Sequence, residues 1–416
     1  MEEANNRKVR SRRWITRCLR RAVTCVLALS MCFCLSGCWS RRELNTLGFV
    51  TAVALDQGEN EEVRVTVEMV KTIAVAGEQA RTWEKAYWVV ESAGRTIFEA
   101  VRNTLDRSTR RAYWAHSRVI MIGEDLARQG IGPFLDFFLR DGETRDNTFL
   151  LIARGIPAGQ LIQAEFDADA IPAEGGYNLI TLAKQGLSRV SPRSLLRIAQ
   201  MLENPGIEPT TAGVSLYDRG SGLPTQMGSE IREEARFAPQ VDSTAVFKGD
   251  KLVGWLDKVE GRGFAWVTGE ISSGIIVVDV PGVPGAKASI EILRAARDLK
   301  VKMVDGEAQI YIKIKTTGAL GESEVSPGLM DPHENWDALK SAFEQAVAGE
   351  IMAAVSKAKE LNSDIFGFGA ALRRSDHKTW TKVKDSWESV FRNAVVRVEV
   401  ETSLEHSARA LRSLRY

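Results

Sequence analysis

The sequence predicts an α+β chain of several domains, with mixed, mainly antiparallel sheets and helices packed on one face. Three observations predict it. Short runs of alternating apolar residues recur, as in residues 63–70, where Val63, Val65, Val67 and Met69 share one face. Amphipathic stretches with capping residues lie between them, the clearest over residues 331–361. All five cysteines (Cys18, Cys25, Cys32, Cys34, Cys38) fall in the first 38 residues. The rest of the chain must therefore be held by packed cores rather than disulfides, and its length suffices for two or three of them.

In order, residues 47–55 and 63–70 read as an antiparallel pair of strands, joined by a Gly-, Asn- and Asp-rich turn over 56–62. Residues 87–91 form a short strand. Thr96 caps a helix carrying Ile97, Val101 and Leu105, with Glu99 at the third position after the cap. Residues 118–123 form a buried strand, 134–140 a helix opened by Gly132 and Pro133, and 148–153 a strand. Short helices are expected at 160–163 and 194–203, with Gly175 and Gly176 between them. A strand follows at 212–217. Residues 219–228 have linker composition, and 230–234 form a charged connector.

In the second half, strands are expected at 243–247, 252–256, 275–280, 288–293, 301–304 and 309–317. Ile310, Ile312 and Ile314 alternate with Tyr311, Lys313 and Lys315, so one sheet face is wet. Asp331, Pro332 and Glu334 cap a helix running to about residue 361, with Trp336, Leu339, Phe343, Val347, Ile351 and Val355 near one stripe. A second helix over 377–391 buries Trp380, Val383, Trp387 and Val390, and residues 395–400 close as a strand. One antiparallel sheet with two helices on one face would cover both stripes.

The N-terminus carries the functional signal. A basic segment, residues 7–21, precedes an apolar run over 22–34 that is short for a bilayer span. Leu35-Ser36-Gly37-Cys38 then resembles the lipobox of bacterial lipoproteins. That resemblance implies cleavage before Cys38, a diacylglyceryl group on its thiol, and a mature chain held at the outer face of a membrane. Two acyl chains anchor stably where one is marginal. The alternative is an uncleaved N-terminal anchor.

The full chain has 55 Lys+Arg against 54 Asp+Glu. Residues 1–37 hold eight basic and two acidic residues, so the mature part keeps 47 and 52, a net charge near −5. That argues against a nucleic-acid partner. His116, His333, His377 and His406 show no metal spacing. His333-Glu334 begins like a zinc-protease helix, but Asp337 stands where the second histidine is needed. Gly367-Phe368-Gly369 lacks the third glycine of a dinucleotide site. Neither a phosphate-binding loop nor a nucleophile elbow occurs. The expectation is no catalytic residue, no cofactor and no metal. Trp336, Trp380 and Trp387 read as core rather than as a carbohydrate platform.

Several strings resemble one family, the Ger(x)C lipoproteins of spore germination receptors. They are the mature start CWSRREL (38–44), GRTIFEAVRN (94–103), HSRVIMIGEDLARQGI (116–131) and LDFFLRDGETR (135–145). AVFKGDKLVGWLD (245–257), GEISSGIIVV (269–278) and LNSDIFGFGAALRR (361–374) follow in order. Ser40 replaces the family's usual acidic residue. The resemblance implies a mixed α and β fold in up to three domains and a non-enzymatic subunit, lipidated at Cys38, on the outer leaflet of the spore inner membrane. It implies two integral membrane partners, one with a large soluble part and one transporter-like, and a response to nutrient germinants. A germinant site on this chain is left unassigned. The expected division is a signal peptide (1–37), an N-terminal domain (38–220, with room for a split near 155–210), a linker (221–240), a C-terminal domain (241–405) and a tail (406–416). A lipid-anchored solute-binding protein is the alternative, and it would need two lobes of repeated parallel βαβ units.

Overall fold

The computed structural model describes residues 14, 19–27, 30, 46–60, 62–71, 85–166, 168–219, 237–324 and 334–406. Residues 1–47 and 48–416 form separate units. In the first, residues 19–27 are helical. The second is built on two sheets.

β1 (Leu47–Gln57), β2 (Val63–Val70) and β3 (Tyr87–Gly94) form an antiparallel edge, with Val53 opposite Val67 and Val67 opposite Val90. The expected first hairpin is therefore present. β4 (Arg111–Tyr113) also pairs with β1. On its other side β1 runs parallel to β5 (Val119–Gly123), β5 to β6 (Phe149–Ala153), and β6 to β8 (Thr210–Asp218), while β7 (Arg193–Ser194) is a short partner of β6. Every residue of β5 is buried, as its unbroken apolar run requires at the centre of a sheet covered on both faces. β9 (Phe237–Lys248) and β10 (Lys251–Leu256) complete the far edge, antiparallel to β8 and to each other.

Helices α1 (Ile97–Asn103), α2 (Glu124–Gln129) and α3 (Gly132–Arg140) pack on one face of this sheet, against Val53, Leu55, Ile120 and Ile122. α4 (Ala158–Leu161) and α5 (Pro172–Leu187) cover the other, against Ala52, Ala54, Met121 and Leu151. α6 (Leu195–Glu203) returns to the first face. The Thr96 cap is formed: its hydroxyl accepts from the Glu99 N–H at 3.1 Å. Leu105 departs from its expected stripe, because α1 ends at Asn103 and Leu105 is 46% exposed in the turn beyond.

The expected break at Gly175 and Gly176 is instead the first half of α5, and the helix expected at 160–163 is α4, shifted two residues earlier. The glycines serve packing: a Cβ on Gly175 would overlap the Phe166 ring. Local propensity gives way to tertiary contact there.

α7 (Lys258–Thr268) opens with a reciprocal capping box between Asp257 and Glu260. The second sheet has the order β11 (Ile275–Asp279), β12 (Lys287–Val304), β13 (Glu307–Ser323), β14 (Val395–His406). The first three are an antiparallel meander, but β14 runs parallel to β13. The two strands expected at 288–293 and 301–304 are one, β12, carried through exposed residues 293–298 by unbroken pairing with β13 beyond a bulge. Ile310, Ile312 and Ile314 are buried, as their alternation requires.

α8 (Glu334–Glu360), α9 (Phe368–Ser375), α10 (His377–Val383) and α11 (Trp387–Asn393) follow β13 in the chain and form the crossover to its parallel neighbour β14. Leu339, Phe343, Val347, Ile351 and Val355 form the buried stripe of α8, and Trp380 and Trp387 are core. The single helix expected over 377–391 is broken by a 3-10 turn at Lys384–Ser386. The strands expected at 243–247 and 252–256 belong to β9 and β10 and extend the larger sheet, so they are not part of the second one. The capping residues Asp331 and Pro332, the connector 230–234 and nearly all of the linker stretch 219–228 lie outside the described residues.

Candidate functional site

Cys38, the one site residue expected from sequence, lies outside the described residues, as does His333. Among the described residues no His/Cys/Asp/Glu group could hold a metal ion, and no helix is long and apolar enough to cross a membrane. Two features built from distant segments stand out.

The first is a cleft of about 500 Å³ at the end of the larger sheet where β1 begins. Phe49 and Thr51 of β1, Val70 of β2, residues 115–118 before β5 and Arg145, Asn147 and Thr148 before β6 line it, with Ile171, Glu174 and Tyr177 from the start of α5. Backbone bonds bring the strand starts together: Arg118 N–H donates to Thr51 O at 2.8 Å and Phe149 N–H to Arg118 O at 3.0 Å. Arg118 lies 3.2 Å from Glu174 and 5.1 Å over the Tyr177 ring, whose other partner is the stacked Phe149. The His116 ring meets Phe49 edge-on at 5.3 Å.

Behind Thr51 lies Glu68, fully buried on β2. Its Oε1 accepts from Thr51 Oγ1 at 2.5 Å and from the Ala173 N–H at 3.3 Å, while Oε2 has no hydrogen-bond partner. Burial pushes this carboxyl up to about 7 against an ordinary 4.5, and the two donors only partly oppose it. The folded state thus holds a proton that the unfolded state has lost between pH 4.5 and 7. Stability is greatest below that window and falls as pH rises through it, by about 3 kcal/mol from this group. Urea unfolding across pH 4.5–8 should show this loss, and Glu68→Gln should remove its share. An equal pH slope in both proteins would contradict it.

The second feature is the loop of the string 361–374. Asp364, buried between α8 and α9, accepts from Phe368 N–H at 3.0 Å, Gly369 N–H at 2.8 Å and Trp387 Nε1 at 2.9 Å. Ser363 Oγ donates to Phe247 O at 2.6 Å, and Glu208 N–H donates to Asp364 O at 2.9 Å. The loop therefore ties the second sheet's helices to β9 and to the chain entering β8. Gly367, at φ 72°, makes the left-handed turn into α9, a conformation that glycine adopts without strain. Burial pushes Asp364 up to about 6, against the pull of its N–H donors. The arrangement is structural: each contact is spent on folding.

Reasoning from sequence missed Glu68, Arg118, Arg145, Glu174 and Tyr177 as neighbours. His116 to Arg118, in the string 116–131, and Arg145, the last residue of the string 135–145, lie within stretches already singled out, but nothing in those strings points to a shared cleft.

Residues 40–216 match the family described as "Spore germination protein N-terminal domain", and residues 242–408 match "Spore germination B3/ GerAC like, C-terminal". The chain belongs to the Ger(x)C family of spore germination proteins. This Ger(x)C chain is 26% identical over 379 residues to spore germination protein KC of Bacillus subtilis (strain 168), covering 90% of this chain and 92% of the relative. It is 25% identical over 382 residues to spore germination protein B3 of the same organism, covering 87% and 91%. The crystal structure of the GerBC protein shares the fold, with a TM-score of 0.54 at 18% identity over 85% of this Ger(x)C chain and 96% of that one. The α+β class and the family resemblance are thus both borne out.

Proposed function

We propose that the protein is a lipid-anchored, non-enzymatic subunit of a spore nutrient germinant receptor. It acts by contact with two integral membrane subunits at the extracytoplasmic face of the spore inner membrane. The observation that carries this reading is the place of Cys38. The family match begins at residue 40, two residues after the lipobox cysteine. Cleavage before Cys38 would therefore free the family region with a lipid at its first residue. Among the described residues no helix is long and apolar enough to cross a membrane. In this reading the chain divides into 38–220 and 241–405, the latter lending β9 and β10 to the larger sheet. The same reading gives no residue a catalytic role.

A solute-binding protein would need two similar lobes of parallel βαβ units. Parallel crossovers link β5, β6 and β8, but the second sheet is a meander closed by one parallel strand. The observations favour the receptor subunit.

The test is Cys38→Ala in a spore-forming host. Membrane-bound wild type, a released variant and impaired nutrient germination are the expected results. A lipidated wild type whose loss leaves nutrient germination unchanged would refute the receptor role.

A further inference from the structure

The cleft beside β1 has hydrogen-bonding capacity that folding does not use. Its volume of about 500 Å³ is in the range that holds a small ligand or headgroup, about 300–1,000 Å³. Arg145 and Asn147 line it, and their side chains make no hydrogen bond or ion pair among the described residues. The His116 ring packs against the Phe49 and Tyr113 rings, and its nitrogens make no hydrogen bond among the described residues. Arg118 is matched by Glu174, so with Arg145 the cleft keeps an excess of one positive charge. Phe49, Val70, Ala115, Ile171 and Tyr177 supply apolar wall. The chemistry suits one monoanion with apolar atoms attached.

The surroundings of the cleft point to the source of that anion. On the same end of the sheet, Arg110 lies 5.9 Å over the Trp88 ring, Arg111 is 3.8 Å from Glu143, and Tyr113 packs edge-on to Phe49 at 6.0 Å. Half-buried Trp and Tyr beside arginine are the side chains that settle at a membrane's headgroup layer. Phe49 follows Cys38 by eleven residues, a connection of at most about 40 Å. If Cys38 carries lipid, the connection is long enough for this end of the sheet to reach the bilayer.

We propose that the cleft takes the anionic headgroup of a phospholipid from the membrane to which Cys38 tethers the chain, with the phosphate on Arg145, Asn147 and Arg118. The tether supplies the concentration: a bound anchor raises a weak headgroup contact to an effective millimolar encounter. The contact would orient the larger sheet with its β1 end to the membrane and leave the second sheet's helices free for protein partners. It rests on the lipid-anchor reading for its physiological setting, but the binding itself can be measured without the lipid.

The experiment uses the mature chain, residues 38–416, with Cys38→Ala. It is sedimented with vesicles of phosphatidylcholine alone or with phosphatidylglycerol added, and sn-glycerol 3-phosphate serves as soluble probe. Binding to the phosphatidylglycerol vesicles, absent with phosphatidylcholine, is expected. Arg145→Gln should weaken it about five-fold, the share of one arginine at an anionic surface. Lys302→Gln, exposed on β12, should leave it unchanged, and both variants should keep the wild-type circular dichroism. Millimolar glycerol phosphate should compete. Equal binding to both vesicles, or binding indifferent to Arg145→Gln, would overturn the proposal. Binding of glycerol phosphate with no vesicle binding would give the cleft to a soluble phosphate ester and overturn the lipid source. If headgroup binding holds while Cys38 carries no lipid, the anchor reading alone fails.

Discussion

Glu350→Ala is expected to lower folding stability by about 3–5 kcal/mol, the cost of leaving one partner of a buried ion pair alone. Glu350 on α8 and Arg262 on α7 are both buried. Arg262 Nε donates to Glu350 Oε2 at 2.9 Å, its Nη2 donates to Oε1, and Nη1 donates to the Ile275 carbonyl at 2.9 Å. Trp266 Nε1 adds a bond to Glu350 Oε2 at 3.1 Å. The carboxylate thus gathers α7 and, through Arg262, the start of β11. The helices meet closely, since a Cβ on Gly263 would overlap the Glu350 carbonyl. Truncating Glu350 leaves the Nε and Nη2 of a buried guanidinium and the Trp266 indole N–H without their acceptor, while Nη1 keeps the Ile275 carbonyl. The double replacement Arg262→Met with Glu350→Leu should recover most of the loss, because a well-packed apolar pair can replace a buried salt bridge. Urea unfolding of the single and double variants measures both effects. A single variant within about 1 kcal/mol of wild type would show that water or rearrangement satisfies Arg262, against this geometry.

Asp364→Ala is expected to cost about 3 kcal/mol or more, since it strands three buried donors: the Phe368 and Gly369 N–H groups and the Trp387 indole. The loss should appear as early unfolding of the helices between β13 and β14, seen in amide exchange of α9 and α11 before that of β1 and β5. Gly369→Ala should damage the same contact by another route, because its Cβ would stand 2.7 Å from Trp387 Nε1 and 2.9 Å from Gly206 Cα. Uniform exchange across both sheets in Asp364→Ala would contradict a local role for this loop.

Different parts of the molecule were legible in the sequence to different degrees. The β1–β2 hairpin was legible because Val63, Val65, Val67 and Met69 alternate around a polar turn, and both halves of that signal are local. The stripe of α8 was legible for the same reason. α5 and α7 were not: in sequence Gly175 stands between two expected short helices, and the stretch that forms α7, with Gly261 and Gly263, carries no expected element. These residues are small because Phe166, Arg189 and Glu350 approach the helix there, and nothing nearby in sequence announces those neighbours. The placing of β9 and β10 in the larger sheet was also hidden: a hairpin's pattern shows that it pairs with itself and not which edge it joins. The cleft draws Arg118, Arg145 and Glu174 from three segments. Singly, each resembles a solvated surface charge, and only the parallel starts of β1, β5 and β6 make them neighbours. The Asp364 loop lay within a recognised string, but its purpose needed Trp387 and Phe247, remote in the chain.

The account stands most directly on the chemistry of Cys38. The measurement is the mass of the N-terminal peptide of the native protein, extracted from spore inner membranes with detergent. The predicted result is a peptide beginning at Cys38 and carrying a thioether-linked diacylglyceryl group. A peptide that retains residues before Cys38, or one that begins there with a free thiol, would contradict it.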